Sequence, residues 1–281
     1  MAELKIAVML SNLKMDPYEG MKVVADLGVP GVHLSATGPF SPDNLGRAGR
    51  KKLVEHLRSL GLEISAISAW GGRVDLGEAE KHPENIAWAK KLLELSVDLE
   101  APIWQAHVGV MPHDTNHPRW QAFVDACGEI AAYGEQVGAC LAIETGPEPP
   151  PVLKRLLDTI ASPGLRVNYD PANLILWPPA LAQRAGQPYD KETALREYQP
   201  VEGVKILGPY IVHTHAKDAL VDEDGVRHEV PLGQGWIDWP RYVQLLREAG
   251  YDGYLAIERE TGDDPVGDIT RAVEFLRTLG R

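Results

Sequence analysis

Leu141-Ala142-Ile143-Glu144 and Leu255-Ala256-Ile257-Glu258 are the same tetrapeptide, met twice in one chain. In each copy a run of apolar residues ends on a single carboxylate. That is the pattern of a strand buried on both faces with a charge at its C-terminal end. Two further stretches have the same shape: LRVNYD at residues 165–170 ends on Asp170, and YIVHTH at residues 210–215 ends on His215. Drawn together as parallel strands of one barrel, they bring Glu144, Asp170, His215 and Glu258 to a common mouth. Three carboxylates gather only around positive charge, because like charges a few ångströms apart disfavour joint ionisation. A divalent metal is the simplest source of that charge.

Outward from these strands the chain alternates in the same way. Strands are expected at residues 4–10, 29–34, 62–67, 102–106, 140–143, 165–169, 211–214 and 254–257. Helices are expected at residues 17–27, 47–60, 83–99, 118–137, 151–160, 191–198, 239–249 and 265–279. Asp16 is placed to cap the first of these, with Pro17 at its first position. Gly28, Gly61 and Gly138 stop three of them. The segment 174–204 reads as irregular apart from 191–198, and Pro149-Pro150-Pro151 and Pro178-Pro179 read as rigid rim loops. Eight strand–helix repeats without a break in composition predict an α/β fold of the (β/α)8 TIM-barrel class, one domain over residues 1–281. A doubly wound open sheet normally shows a glycine-rich phosphate turn after its first strand, and none follows residues 4–10. The strand-to-helix connections are long and rich in polar residues, whereas the helix-to-strand ones are short. Barrel enzymes carry their sites on that strand-to-helix side.

Composition narrows the partners. A formal charge of −12 argues against nucleic acid, which needs a basic face, and against an anionic membrane surface. A local cationic pocket survives this test, so a phosphorylated substrate does too. The hydrophobic content of 44% and charged content of 24% are those of a soluble globular protein. No signal-peptide pattern opens the chain and no apolar run reaches membrane length, so a cytoplasmic protein is expected. Cys127 and Cys140 lack metal or redox spacing and read as buried free thiols.

The four convergent residues form an oxygen-rich donor set with one nitrogen, suited to Mn²⁺ or Mg²⁺, with Co²⁺ or Zn²⁺ as alternatives. They lie 26, 45 and 43 residues apart, one βα repeat each with inserts in the longer two. Glu144 and Glu258 are the candidate catalytic pair. Removing a proton α to a carbonyl needs a positioned base and stabilisation of the charge that develops.

LAIETG, VNYDPAN, IVHTHAKD, the run PLGQGWIDWPRYVQLLREAGYDGYLAIE and the HVG after the fourth strand resemble the xylose isomerase-like TIM-barrel superfamily. More narrowly they are similar to its sugar phosphate isomerase/epimerase group, which holds ketose 3-epimerases, inosose dehydratases and hydroxypyruvate isomerases. The resemblance runs along essentially the whole chain and is strongest over residues 139–258. It implies one divalent metal held by Glu144, Asp170, His215 and Glu258. In the ketose 3-epimerases it also implies two glutamates that face each other across the substrate. Two positions depart from those epimerases: Asn173 stands where they carry a histidine, and Lys217-Asp218 where an arginine would be expected. His215-Ala216-Lys217-Asp218 looks more like the inosose dehydratase branch. Lys217 is therefore a candidate general acid or substrate-oxygen ligand, or else a surface lysine paired with Asp218. Asn173 is a candidate substrate contact or a turn cap.

His107, Trp70 and Trp177 are further candidates to line a sugar pocket, or to pack the rim. His213 points the same way as His215, one layer deeper. His33 is a weaker candidate; His82, His113, His117 and His228 read as solvated, and Arg259 as a rim ion pair. The expected activity is a metal-dependent isomerase or epimerase of a ketose or polyol. The alternative is a metal-dependent dehydratase (a lyase) of a keto-cyclitol such as an inosose. A nuclease would need more histidines and a basic surface, and a sugar-binding protein has no need of two opposed bases. A homo-oligomer is expected from the habit of such barrels.

Overall fold

The computed structural model describes residues 3–69 and 74–280. Eight parallel strands close into a barrel in the order β1-β10-β7-β6-β5-β4-β3-β2. They are β1 (Lys5–Met9), β2 (Gly31–Ser35), β3 (Glu63–Ser68), β4 (Ile103–Ala106), β5 (Cys140–Glu144), β6 (Leu165–Tyr169), β7 (Ile211–Ala216) and β10 (Tyr254–Ile257). The remaining two strands, β8 (Asp218–Val221) and β9 (Arg227–Val230), pair antiparallel as a hairpin inserted after β7. The helices are α1 (Pro17–Asp26), α2 (Arg47–Ser59), α3 (His82–Asp98), α4 (Pro118–Val137), α5 (Pro150–Ile160), α6 (Asn173–Arg184), α7 (Lys191–Tyr198), α8 (Val204–Leu207), α9 (Trp239–Glu248) and α10 (Pro265–Leu279). The (β/α)8 expectation holds, with the eight expected barrel strands each found.

Local chemistry explains the element ends. The Asp16 carboxylate accepts the Tyr18 and Glu19 amides, satisfying two donors that the first turn of α1 leaves open. Gly138 ends α4 in a left-handed conformation, φ 79°, which costs glycine little. Strands β5 and β10 are apolar because helices cover one face and the barrel interior covers the other.

Two expectations fail. Residues 174–184, read as irregular, belong to helix α6 (Asn173–Arg184), with Pro178 and Pro179 inside it. The rim-loop reading of the prolines fails at 150–151 as well, where they occupy the opening positions of α5. There the missing N–H costs nothing, since a first-turn amide has no partner within its helix.

The barrel ladder is regular except for register shifts between Val32 and His33 against β3 and between Val167 and Asn168 against β7. Such bulges re-aim side chains near barrel rims. No helix among the described residues is long and apolar enough to cross a membrane.

Candidate active site at the barrel mouth

Glu144 ends β5, Asp170 follows β6, His215 lies one residue short of the end of β7, and Glu258 follows β10. Their side chains meet at the C-terminal mouth, and one ligand atom from each falls within 4.8 Å of the others. All four are buried. His215 Nδ1 stands 3.0 Å from Glu144 Oε1, 3.0 Å from Glu258 Oε2 and 3.8 Å from Asp170 Oδ2. Asp170 Oδ1 accepts the Ala172 and Asn173 amides, while its Oδ2 is buried without a hydrogen-bond partner. An orphaned carboxylate oxygen facing two glutamates and an imidazole is what a hard divalent cation would satisfy. The donor set fits.

Charge balance follows from the packing. Burial raises Glu258, but Lys217 and His215 outweigh it and hold the carboxyl well below its usual range. Burial likewise raises Glu144, and His107 and His215 bring it below normal. Asp170, more dominated by burial, rises to about 6. Burial lowers His215 and Lys217, and the surrounding carboxylates reverse that, holding both as cations. The protein alone therefore places an imidazolium and an ammonium where the sequence called for positive charge.

Lys217 is no surface lysine. Its side chain is 4% exposed, and Nζ donates to Glu258 Oε2 at 3.1 Å and to Glu260 Oε2 at 2.7 Å. Asp218 turns away, accepting the amides of Gly233, Gly235 and Ile237 and the Trp239 indole. Asn173 opens α6 and donates to Glu144 Oε1 at 3.1 Å. His107 Nε2 lies 3.3 Å from Glu144 Oε2. Trp177 meets the His107 ring edge-on, with centroids 5.8 Å apart. These residues line a cavity of about 660 Å³, with Thr37, Ser68, Arg227 and Glu229 on its other walls. Trp70 lies outside the described residues.

Other expectations sort as follows. Arg259 forms the rim ion pairs expected of it, with Glu229 and Asp268. Cys127 and Cys140 are free and buried, and burial pushes both thiols up to about 12. His113 is exposed, as is His228, which pairs with Asp222. His117 is exposed too but caps α4, and His82 is half-buried against the Leu76 carbonyl, so neither is simply solvated.

His213 does sit a layer deeper, bonded to Asn168 and Ser65. His33 is fully buried with both ring nitrogens unpartnered, and burial lowers it to about 3. His33, His213 and His215 also bring nitrogens within 4.8 Å of one another. That group shares His215 with the mouth, and hydrogen bonds take up both His213 nitrogens, so it is the floor of one cluster.

Contributors that went unnoticed in the sequence include Gln105 (which hydrogen-bonds Glu144), Glu260, the buried Ser65 and Asn168, and the cavity-wall residues Thr37, Ser68, Arg227 and Glu229. A polar residue inside an otherwise apolar strand was the available signal for Gln105, Ser65 and Asn168.

A closed parallel barrel with a carboxylate–imidazole cluster at its strand ends defines a class of α/β-barrel proteins. Residues 21–279 match the family described as xylose isomerase-like TIM barrel, and the chain belongs to that family. Over 70 residues it is 34% identical to L-ribulose-5-phosphate 3-epimerase UlaE of Shigella flexneri, which is 24% of this chain and 24% of that protein. The chain thus matches about a quarter of the length of that curated relative. A solved xylose isomerase domain protein from Planctomyces limnophilus superposes with a TM-score of 0.79 at 23% identity, covering 99% of this chain and 97% of that one. The probable 3-DHS dehydratase AsbF from Bacillus anthracis gives 0.72 at 18%, covering 97% and 98%. At such identities the two structures speak for the fold alone.

Proposed function

We propose that this protein is a divalent-metal-dependent sugar isomerase or epimerase, acting by α-proton abstraction on a ketose or related polyol. The observation that carries the reading is the convergence of Glu144, Asp170, His215 and Glu258 around the orphaned Asp170 Oδ2. Those four residues would hold the ion, and three carboxylates with one imidazole favour Mn²⁺, with Mg²⁺, Co²⁺ or Zn²⁺ also accommodated. When bound, a divalent cation there stabilises the negative charge that develops on the substrate's carbonyl oxygen.

The chain's own residues do the rest. Glu258, held ionised by Lys217 and His215, takes the proton from the carbon α to the carbonyl. The C–H electron pair moves into the carbon framework and the carbonyl oxygen gains charge, giving an enediolate. Glu144, ionised at rest, takes up a proton from solvent in the cavity and returns it to that carbon from the opposite face, which inverts the carbon, while Glu258 releases its proton to solvent. Asn173, His107 and Lys217 offer donors to the substrate hydroxyls, and Trp177 offers an apolar ring face to the sugar.

One observation favours a second reading, a lyase acting on a keto-cyclitol. Lys217 is a buried ammonium against Glu258, with Glu260 behind it. A proton donor beside the base suits departure of hydroxide as water from the β carbon.

The test is metal content and activity of wild type beside Glu258→Gln, on ketoses and inososes in deuterated water. One divalent ion per chain and α-proton exchange lost in the variant support the reading. Product mass then separates epimerase from dehydratase, which alone loses water. A wild type without metal, or a variant that exchanges equally well, sinks it.

A further inference from the structure

We propose that Asn168 is a positioning residue that locks His215 in the tautomer a metal ligand requires, as the reversible link of a hydrogen-bond wire running His215–Asn168–His213–Ser65–Val32. The inference rests on the reading of His215 as a ligand and extends it to residues that touch neither metal nor substrate.

The argument is a count of protons. His215 Nδ1 faces Glu144 and Glu258, each at 3.0 Å, so Nδ1 is the ligand atom and Nε2 must bear the ring proton. In the structure the Asn168 amide nitrogen lies 3.3 Å from that Nε2, and its Oδ1 lies 2.8 Å from His213 Nδ1. With Nε2 protonated, two donors would face each other. Turning the amide over resolves this: Asn168 Oδ1 accepts from His215 Nε2–H, and Asn168 Nδ2 donates to His213 Nδ1. His213 then carries its proton on Nε2, which donates to Ser65 Oγ at 3.1 Å. The Ser65 hydroxyl donates onward to the Val32 carbonyl at 3.3 Å.

A second count agrees. With the amide unturned, His213 Nδ1–H donates to Asn168 and leaves Nε2 as an acceptor. The single Ser65 proton would then have to serve both Nε2 and the Val32 carbonyl. With the amide turned, each contact has one donor and one acceptor. Asn168, His213 and Ser65 are all buried, so bulk water does not relieve a mismatch. Ligand-binding histidines are characteristically held this way through their second nitrogen.

The backbone is built for the wire. The two register shifts found in the barrel ladder fall on it: one passes over Ser65 between Ile64 and Ala66, the other meets Asn168 opposite His213. Bulges at those points bring Ser65 and Asn168 to the two ring nitrogens of one imidazole.

The experiment uses zinc as a diamagnetic probe. Long-range ¹H–¹⁵N spectra of ¹⁵N-histidine-labelled, zinc-loaded protein report the tautomer of each ring. The lock predicts Nε2–H for both His215 and His213. Asn168→Leu, checked for folding by circular dichroism, should bind zinc about 10- to 100-fold more weakly. Asn168→Asp has a carboxylate that accepts from both rings, so it should keep zinc and move the His213 proton to Nδ1. Nδ1–H at His213 in zinc-loaded wild type, or undiminished zinc affinity in Asn168→Leu, overturns the lock while the metal reading stands. A wild type that binds no zinc overturns the metal reading, and the lock falls with it.

Discussion

Glu148 is a buried acid that the proposed chemistry does not use. It is 2% exposed, its Oε2 has no hydrogen-bond partner, and burial lifts its carboxyl to about 8 despite the Met111 amide. A folded-state value above the unfolded one means that the native protein binds more protons, so stability falls as pH rises from the unfolded pKa through about 8. Glu148→Gln should remove that loss. It is expected to raise the melting temperature at pH 9 and leave it nearly unchanged at pH 4, with a ceiling of about 5 kcal/mol at the alkaline end. Equal shifts at both values, read by calorimetry, would mean that the carboxyl does not titrate as described. Lys217 offers a companion test. Lys217→Met strands the buried Glu258, and should cost about 3 kcal/mol in urea unfolding. The double variant Lys217→Met/Glu258→Gln should recover part of that loss, because the buried charge goes with its partner. Strict additivity of the two changes would deny the coupling.

Among the elements, the β8–β9 hairpin and the turn behind it form the wall that carries Arg227 and Glu229 to the cavity. Asp218 pins that turn through the Gly233, Gly235 and Ile237 amides and the Trp239 indole. Asp218→Ala should therefore cost about 3 kcal/mol and raise substrate KM more than it lowers kcat. Loss of kcat alone would place Asp218 in the chemistry instead. The barrel strands were legible because burial on both faces demands apolar runs, and Glu144, Asp170, His215 and Glu258 because each run stops on a charged group or imidazole. The hairpin was not legible: its strands are four residues each and β9 is largely exposed, so no alternation marks it. The turn signal was present all the same, with Asp222 accepting the Asp224 and Val226 amides and Gly225 at φ 78°. Helix α6 was hidden by a sound rule met by an exception. Prolines past the first turn normally end a helix, and here buried Asn173, Leu174, Ile175 and Ala180 hold the segment against the fold. Glu260 was hidden because it is drawn into the site only by Lys217, a contact between loops from different strands.

For the molecule as a whole, a ligand that binds only the folded state stabilises it by mass action. Mn²⁺ at one hundred times its dissociation constant should add about 2.7 kcal/mol, a rise of several degrees in melting temperature. Chelation should reverse the rise, and Asp170→Asn should abolish it. A rise of the same size in Asp170→Asn would move the ion to some other place.

Strand β10 closes the barrel by pairing with both β1 and β7, and Glu258 follows directly on it. Among the barrel strands β1 is made first and β10 last, so the closing pair forms only when every other strand exists. The wall and the last carboxylate are therefore finished in one event. A polypeptide broken off before β10 has an open seam and lacks Glu258 as well. An ion that needs all four side chains would therefore tell a closed barrel from an open one.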